Sequence, residues 1–206
     1  MVKLLLDIEK EDLKEELKRF IIKVDYPLRF ENIIISTSYK TDFLSGEARK
    51  NIEIIINPEN KFLENKILFR GYLARFFFLL INEREGLNRE IKNKLEIPKL
   101  VEFVQNFFAD YKAIKYGFRK EMYQFFLERI TKKLYSTESI SKEEYLEFYS
   151  FYLILKKIGG EEIKSILDSI KIEGVEFLIK EIEKLNYPFL LGSDDLKKEW
   201  MEIFNF

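Results

Sequence analysis

Residues 67–81 read ILFRGYLARFFFLLI, a run in which only Arg70 and Arg75 carry charge. A helix that is apolar nearly all round must be covered on every side. A bilayer span needs about 20 residues, and two arginines interrupt this shorter run. The stretch therefore reads as the buried central helix of a globular protein, extending from about Asn60 to Asn82. Upstream, FENIIISTS (30–38) and NIEIIIN (51–57) are rich in β-branched residues and read as strands. The polar segment between them contains Ser45-Gly46, a turn signal, so the two are expected to form an antiparallel pair. Before them, Leu13, Leu17, Phe20, Ile21 and Val24 recur at the helical period, predicting an amphipathic helix over about 9–24. Tyr26-Pro27 stops it.

Downstream, polar residues return from Asn82 to Glu96. A further helix is expected from about Lys99 to Lys115, ending where Gly117 fits a left-handed cap. From Arg119 only helices are expected. Met122, Phe125, Phe126, Ile130 and Leu134 form one stripe. Ser141 and Glu144 form a capping-box pattern opening a helix with Leu146, Tyr149, Leu153 and Ile158, which Gly159-Gly160 ends. Shorter helices are predicted over 161–170 and 173–185, with a break near Pro188. A last helix is capped by Ser193 and carries Leu196, Trp200 and Ile203 on its buried face.

The composition of the 206 residues excludes several chemistries. There is no His and no Cys, so imidazole bases, thiolate nucleophiles, disulfides and zinc-thiolate clusters are all ruled out. Lys and Arg number 35 against 36 Asp and Glu, interleaved along the chain without a basic block. A nucleic-acid footprint is therefore not expected. Abundant Lys and Glu with only two Gln lean towards a heat-adapted source. The apolar start, Leu4-Leu5-Leu6, is far too short for a signal core, and a cytoplasmic location is expected by default. No phosphate-binding glycine motif occurs. The adjacent acids Glu161-Glu162 and Asp194-Asp195 sit at helix starts, where the dipole favours anions. Glu83 and Glu85 fall on different helix faces.

The order helix, strands, buried helix and acidic helix, with the residues around 71–77 and 106–118, resembles a known group. It is similar to the minimal core of zincin (gluzincin-type) metallopeptidases over about Glu9 to Phe118. In that family a helix carries H-E-x-x-H, whose two His bind zinc while the Glu acts as general base. A later helix supplies a third ligand, often within E-x-x-A-D shortly before Gly-Phe. Here Leu73-Ala74 and Phe76 fit the common wording H-E-L-A-H-F, and Ala109-Asp110 with Gly117-Phe118 fit the later motif. By that register Gly71 stands in the first His position, Tyr72 in the Glu position, Arg75 in the second His position and Asn106 in the third-ligand position. The resemblance thus implies a peptidase-like framework without its chemistry. Arg75 would repel a metal cation directly.

Two arginines in an apolar helix need anions or helix-end carbonyls, because an unpaired buried charge is costly. Joined to the resemblance, this predicts that Arg75 fills the vacated metal position and pairs with Asp110. The expected fold is α+β and mostly helical. A small antiparallel strand pair packs on a buried central helix in a zincin-like region, 1–118, and an all-helical region, 119–206, packs with it. The expected function is non-catalytic: a peptidase-like protein that has lost its metal site and binds a protein or peptide, or serves an assembly. Gly71, Tyr72, Arg75, Asn106 and Asp110 mark its candidate binding site, in a groove between the strands and the central helix. No metal, cofactor, nucleic-acid or membrane partner is expected, and no zinc peptidase activity. Two alternatives stay open. One is an enzyme using carboxylates with a hard divalent ion such as Mg²⁺. The other is a structural helical protein with an aromatic helical interface, for which the stripe from Tyr145 to Leu155, read first as core, offers a part.

Overall fold

In the computed structural model, which describes residues 3–27, 32–94, 98–135, 140–155 and 161–170, the sheet has one more strand on each side than the sequence suggests. The expected strands are present as β2 (Asn32–Thr37) and β4 (Ile52–Ile56). They are joined by β1 (Lys3–Asp7) outside β2 and β3 (Leu44–Ala48) outside β4, in the order β1-β2-β4-β3. β2 and β4 pair in parallel, with Ile33 opposite Ile52 and Ile35 opposite Ile54, which corrects the antiparallel expectation. The reason is β3. It runs back between them in sequence and forms the antiparallel partner of β4, so the chain reverses twice. Its residues, LSGEA, hide it, because Gly46 reads as a turn. In fact Gly46 permits close strand approach: a Cβ there would run into the backbone carbonyl of Glu53.

Parallel strands need a crossover, and α1 (Glu11–Lys23) supplies it between β1 and β2. Of the expected stripe, Leu13, Leu17 and Phe20 are buried, while Ile21 and Val24 are half-buried. Ile33, Ile35, Ile52, Ile54 and Ile56 are fully buried on one sheet face, each contributing about 2 kcal/mol of apolar burial. The alternate residues, Ile34, Glu53 and Ile55 among them, are half-buried.

The central helix, α2, spans Lys66–Arg84. It starts later than expected because Asn60 caps a separate 3-10 turn, Lys61–Leu63. Asn65 then caps α2, its side chain accepting from the N–H groups of Ile67 and Leu68 at 3.0 and 3.2 Å. Phe69, Leu73, Ala74, Phe77, Phe78 and Ile81 are essentially inaccessible, and Asn82, where polarity was expected to return, is fully buried too. Among the described residues neither side-chain polar atom of Asn82 has a hydrogen-bond partner. Gly86, at φ 82°, then turns the chain into α3 (Leu87–Lys94), a helix that stands where the sequence pattern suggests only a polar connection.

The chain forms two compact units. One comprises Met1–Asn88 with Ala109–Phe125, and the other Arg89–Phe108 with Phe126–Phe206. The first holds the sheet, α1, α2 and the turn between α4 (Pro98–Ala113) and α5 (Arg119–Leu134). Gly117 sits in that turn at φ 112°, as its cap position predicts. A Cβ there would lie 2.6 Å from the Lys23 carbonyl oxygen, and the Asp25 N–H donates to the Tyr116 carbonyl at 3.1 Å. Lys23 also pairs with Glu121, so the end of α1 is tied to residues almost a hundred positions later.

The second unit is built around α6 (Lys142–Leu155), whose Tyr145, Phe148, Tyr149, Phe151 and Tyr152 are all buried. The capping box opens it as expected. The Ser141 N–H donates to the Glu144 carboxylate at 3.0 Å, and the Glu144 N–H donates to the Ser141 hydroxyl at 3.1 Å. Phe126 stacks on Phe151, and Arg129 makes two hydrogen bonds, at 2.8 and 3.1 Å, to Glu147. α7 (Glu161–Ser169) buries Ile163 and Leu167. The helices expected beyond 171 lie outside the described residues, as do Gly159-Gly160 and the Asp194-Asp195 pair. Among the described residues no helix is long and apolar enough to cross a membrane.

Candidate functional site

α2 places Gly71 and Arg75 one turn apart, on one face of the helix. Gly71 is buried where α5 comes closest. A Cβ at that position would lie 2.5 Å from Cγ and 2.8 Å from Cδ2 of Phe125, so only glycine fits. One turn on, the Arg75 guanidinium meets Asp110 of α4 in a two-pronged pair. Nε donates to Oδ1 at 2.8 Å and Nη2 donates to Oδ2 at 2.7 Å. The side chains are 11% and 4% exposed, so the pair is withdrawn from water. The guanidinium also lies 5.3 Å from the Phe125 ring centre, a cation–π distance. The pairing expected of these two residues is thus present, with the fork geometry that suits arginine to carboxylates.

Tyr72 packs among aromatic rings. It packs edge-on to Phe125 at 4.7 Å and to Phe43 at 5.6 Å, and lies 4.8 Å from Phe62. Phe43 leads into β3, so this aromatic cluster joins α2 to the margin of the sheet. Gly71, Tyr72, Arg75 and Asp110 all belong to the first unit, whereas Asn106 belongs to the second and is half-buried there. The residue missed by sequence reasoning is Phe125. It touches the Gly71, Tyr72 and Arg75 positions together. Its stripe marked it as core, but spacing alone names no partner.

Arg70, one turn before Ala74 on α2, is paired as well. Arg70 donates from Nε and, at 3.0 Å, from Nη2 to the two carboxylate oxygens of Glu16 on α1. These hydrogen bonds hold the Glu16 carboxyl below the usual carboxylate range, against the opposing effect of burial. A lowered value in the folded state means the pair stabilises above the unfolded pKa and is lost as pH falls through the folded one. Glu16→Gln should therefore cost about 0.5–1 kcal/mol at neutral pH, since Arg70 is over a third exposed and partly screened. It should also flatten the loss of stability on acidification, which urea titrations at about pH 7 and about pH 3 would register.

Both oxygens of Asp110 accept hydrogen bonds from the Arg75 guanidinium. Among the described residues no group of three or more His, Cys, Asp or Glu is placed to hold a metal ion. Glu83 and Glu85 are exposed at the end of α2, and Glu85 pairs with Lys112 at 2.5 Å. Phe77 and Phe78 are core residues: Phe77 meets Phe20 edge-on, and Phe78 meets Phe118. No protein-family model, curated protein or solved structure matches this chain.

Proposed function

We propose that the chain is a non-catalytic, peptidase-like protein whose former metal position is closed by the Arg75–Asp110 pair, and that it binds an extended peptide or protein segment along β3. In this reading the zincin-like framework persists while a guanidinium stands where a metal ion would be. Gly71, Tyr72, Arg75 and Asp110 then serve as the rigid wall beside the binding strand, with Asn106 as the remaining position of the old motif.

The observation that carries the proposal is the outer edge of β3. It is the last strand of the sheet, and among the described residues no strand pairs with its far side. The Asn57 N–H donates to the Phe43 carbonyl at 2.9 Å, which sets the alternation of the antiparallel ladder. Phe43, Ser45 and Glu47 face β4, so the backbone groups of Leu44, Gly46 and Ala48 point outward. Main-chain pairing along such an edge gives affinity without metal or general base.

The test is peptide display on the purified protein, followed by titration of the selected peptides. Ala48→Pro removes one outward N–H and leaves the β4 ladder intact. Binding is expected to weaken about tenfold or more in this variant and to be indifferent to a strong chelator. Selected peptides that ignore Ala48→Pro, failure to select any, or stoichiometric zinc with peptide cleavage would each overturn the reading.

A further inference from the structure

The opposite edge of the sheet carries a different message. β1 is five residues long, KLLLD, and it is parallel to β2 with Leu4, Leu5 and Leu6 opposite Ile33, Ile34 and Ile35. The two isoleucines at 33 and 35 are fully buried, yet none of the three leucines is. Leu4 and Leu6 are half-buried on the core face, and Leu5 is 41% exposed on the other. Among the described residues no strand pairs with the outer side of β1. An apolar edge strand of this kind is a site for strand addition. Natural edges are usually protected by charge, and here charge stands only at the two ends, Lys3 and Asp7.

We infer that β1 is a self-pairing edge, and that two copies of this chain join through it in antiparallel fashion about a two-fold axis at Leu5. The sequence is its own complement in that arrangement. Lys3 stands opposite Asp7 of the second copy, Leu4 opposite Leu6, and Leu5 opposite itself. Each opposed pair has the same parity, so the outward backbone groups of one strand meet the outward groups of the other. Shifting the register by two residues loses the charge match and shortens the ladder. The two-fold axis makes every contact twice. It converts two four-stranded sheets into one of eight, and it covers the leucines on both faces. A net charge of −1 leaves little long-range repulsion between copies. A foreign segment would need the same run of leucines between opposite end charges, whereas a second copy always supplies it.

The chain has no cysteine, which makes a covalent test clean. Cross-strand Cα separations of about 4.5–5.5 Å fall within disulfide reach. Leu5→Cys is expected to give a disulfide-linked dimer under mild oxidation. Ile22→Cys, at a residue of α1 that is 84% exposed, is not. By sedimentation the unmodified protein is expected at twice 24.9 kDa. Lys3→Glu and Asp7→Lys should each weaken the dimer about tenfold, since each turns two attractive pairs into repulsive ones. Mixing those two variants should restore it, because a dimer with one copy of each again sets opposite charges against each other at both ends of the paired strands. A monomer at every concentration, no cross-link in Leu5→Cys, or a dimer unchanged by both charge variants would overturn the inference. The charge variants alter only the strand ends, so they decide the matter even where Leu5→Cys folds poorly. Peptide capture at β3 is independent: Ala48→Pro should leave the dimer intact, and Lys3→Glu should leave peptide binding intact.

Discussion

Replacing Arg75 by leucine is expected to destabilise the fold by about 3–5 kcal/mol, although it puts an apolar residue into an apolar helix. The loss comes from what is left behind. Asp110 is 3% exposed, and without the guanidinium its carboxylate either stays charged in a poorly solvated place or takes up a proton. The two hydrogen bonds at 2.8 and 2.7 Å and the contact with the Phe125 ring go with it. Arg75→Lys should cost less, about 1–2 kcal/mol, because charge remains while the two-pronged geometry is lost. Removing both charges together, as Arg75→Met with Asp110→Leu, should recover more than half of the single-variant loss, since a buried ion pair is replaceable by apolar packing. Urea unfolding of the three variants measures this directly. If Arg75→Leu were neutral or stabilising, the guanidinium could not be what holds this position together.

Gly71→Leu is the second large effect, expected at about 3 kcal/mol or more. Alanine at this position would gain about 1 kcal/mol of helix propensity over glycine. That gain cannot offset a collision with a fully buried phenylalanine, whose ring atoms lie 2.5 and 2.8 Å from the new Cβ. Leucine adds three carbons in the same direction, and Phe125 cannot swing away because Tyr72 and Arg75 pack on its ring. Phe125→Ala alone should cost about 3–5 kcal/mol by opening a cavity. Combined with Gly71→Leu, the total should fall short of the sum by about 1 kcal/mol or more, as the leucine fills the space. Thermal melts of the four proteins give the coupling. Additive losses would mean that α2 and α5 do not meet at Gly71. Gly71→His faces the same obstruction, so a histidine at this position requires moving Phe125 first.

The legible parts of the sequence were those with local signals. The 3.6-residue stripe of α1, the all-round apolar α2, the Ser141–Glu144 capping box and the left-handed Gly117 each depend on neighbours within one or two turns. The Arg75–Asp110 pair was reachable by reasoning about cost, because a buried arginine must find an anion. The strands at the two edges of the sheet were not legible. β1 is built from leucines, which favour strands less than β-branched residues do, and β3 contains Ser, Gly and Glu where a strand signal would need apolar alternation. Missing β3 inverted the direction of β2 relative to β4, since strand direction follows from the number of reversals between them. Phe125 was visible as core but not as the residue that fills the Gly71 position, because that contact joins helices some fifty positions apart in sequence. Asn82 ran against the pattern: its amide marks polarity in the sequence and is buried in the structure.

The first unit is discontinuous along the chain: residues 89–108 belong elsewhere, and 109–125 come back to complete it. The tie between Lys23 and Glu121, with Gly117 set against the Lys23 carbonyl, spans that interruption. During synthesis, then, the sheet and α1 emerge from the ribosome well before the segment that locks them. The nascent N-terminal portion must wait, with Phe20 and Phe78 lacking their later neighbour Phe118, until position 125 is free. A polypeptide halted near residue 88 would carry every described strand of the sheet while lacking Tyr116, Gly117 and Glu121, which close on the end of α1.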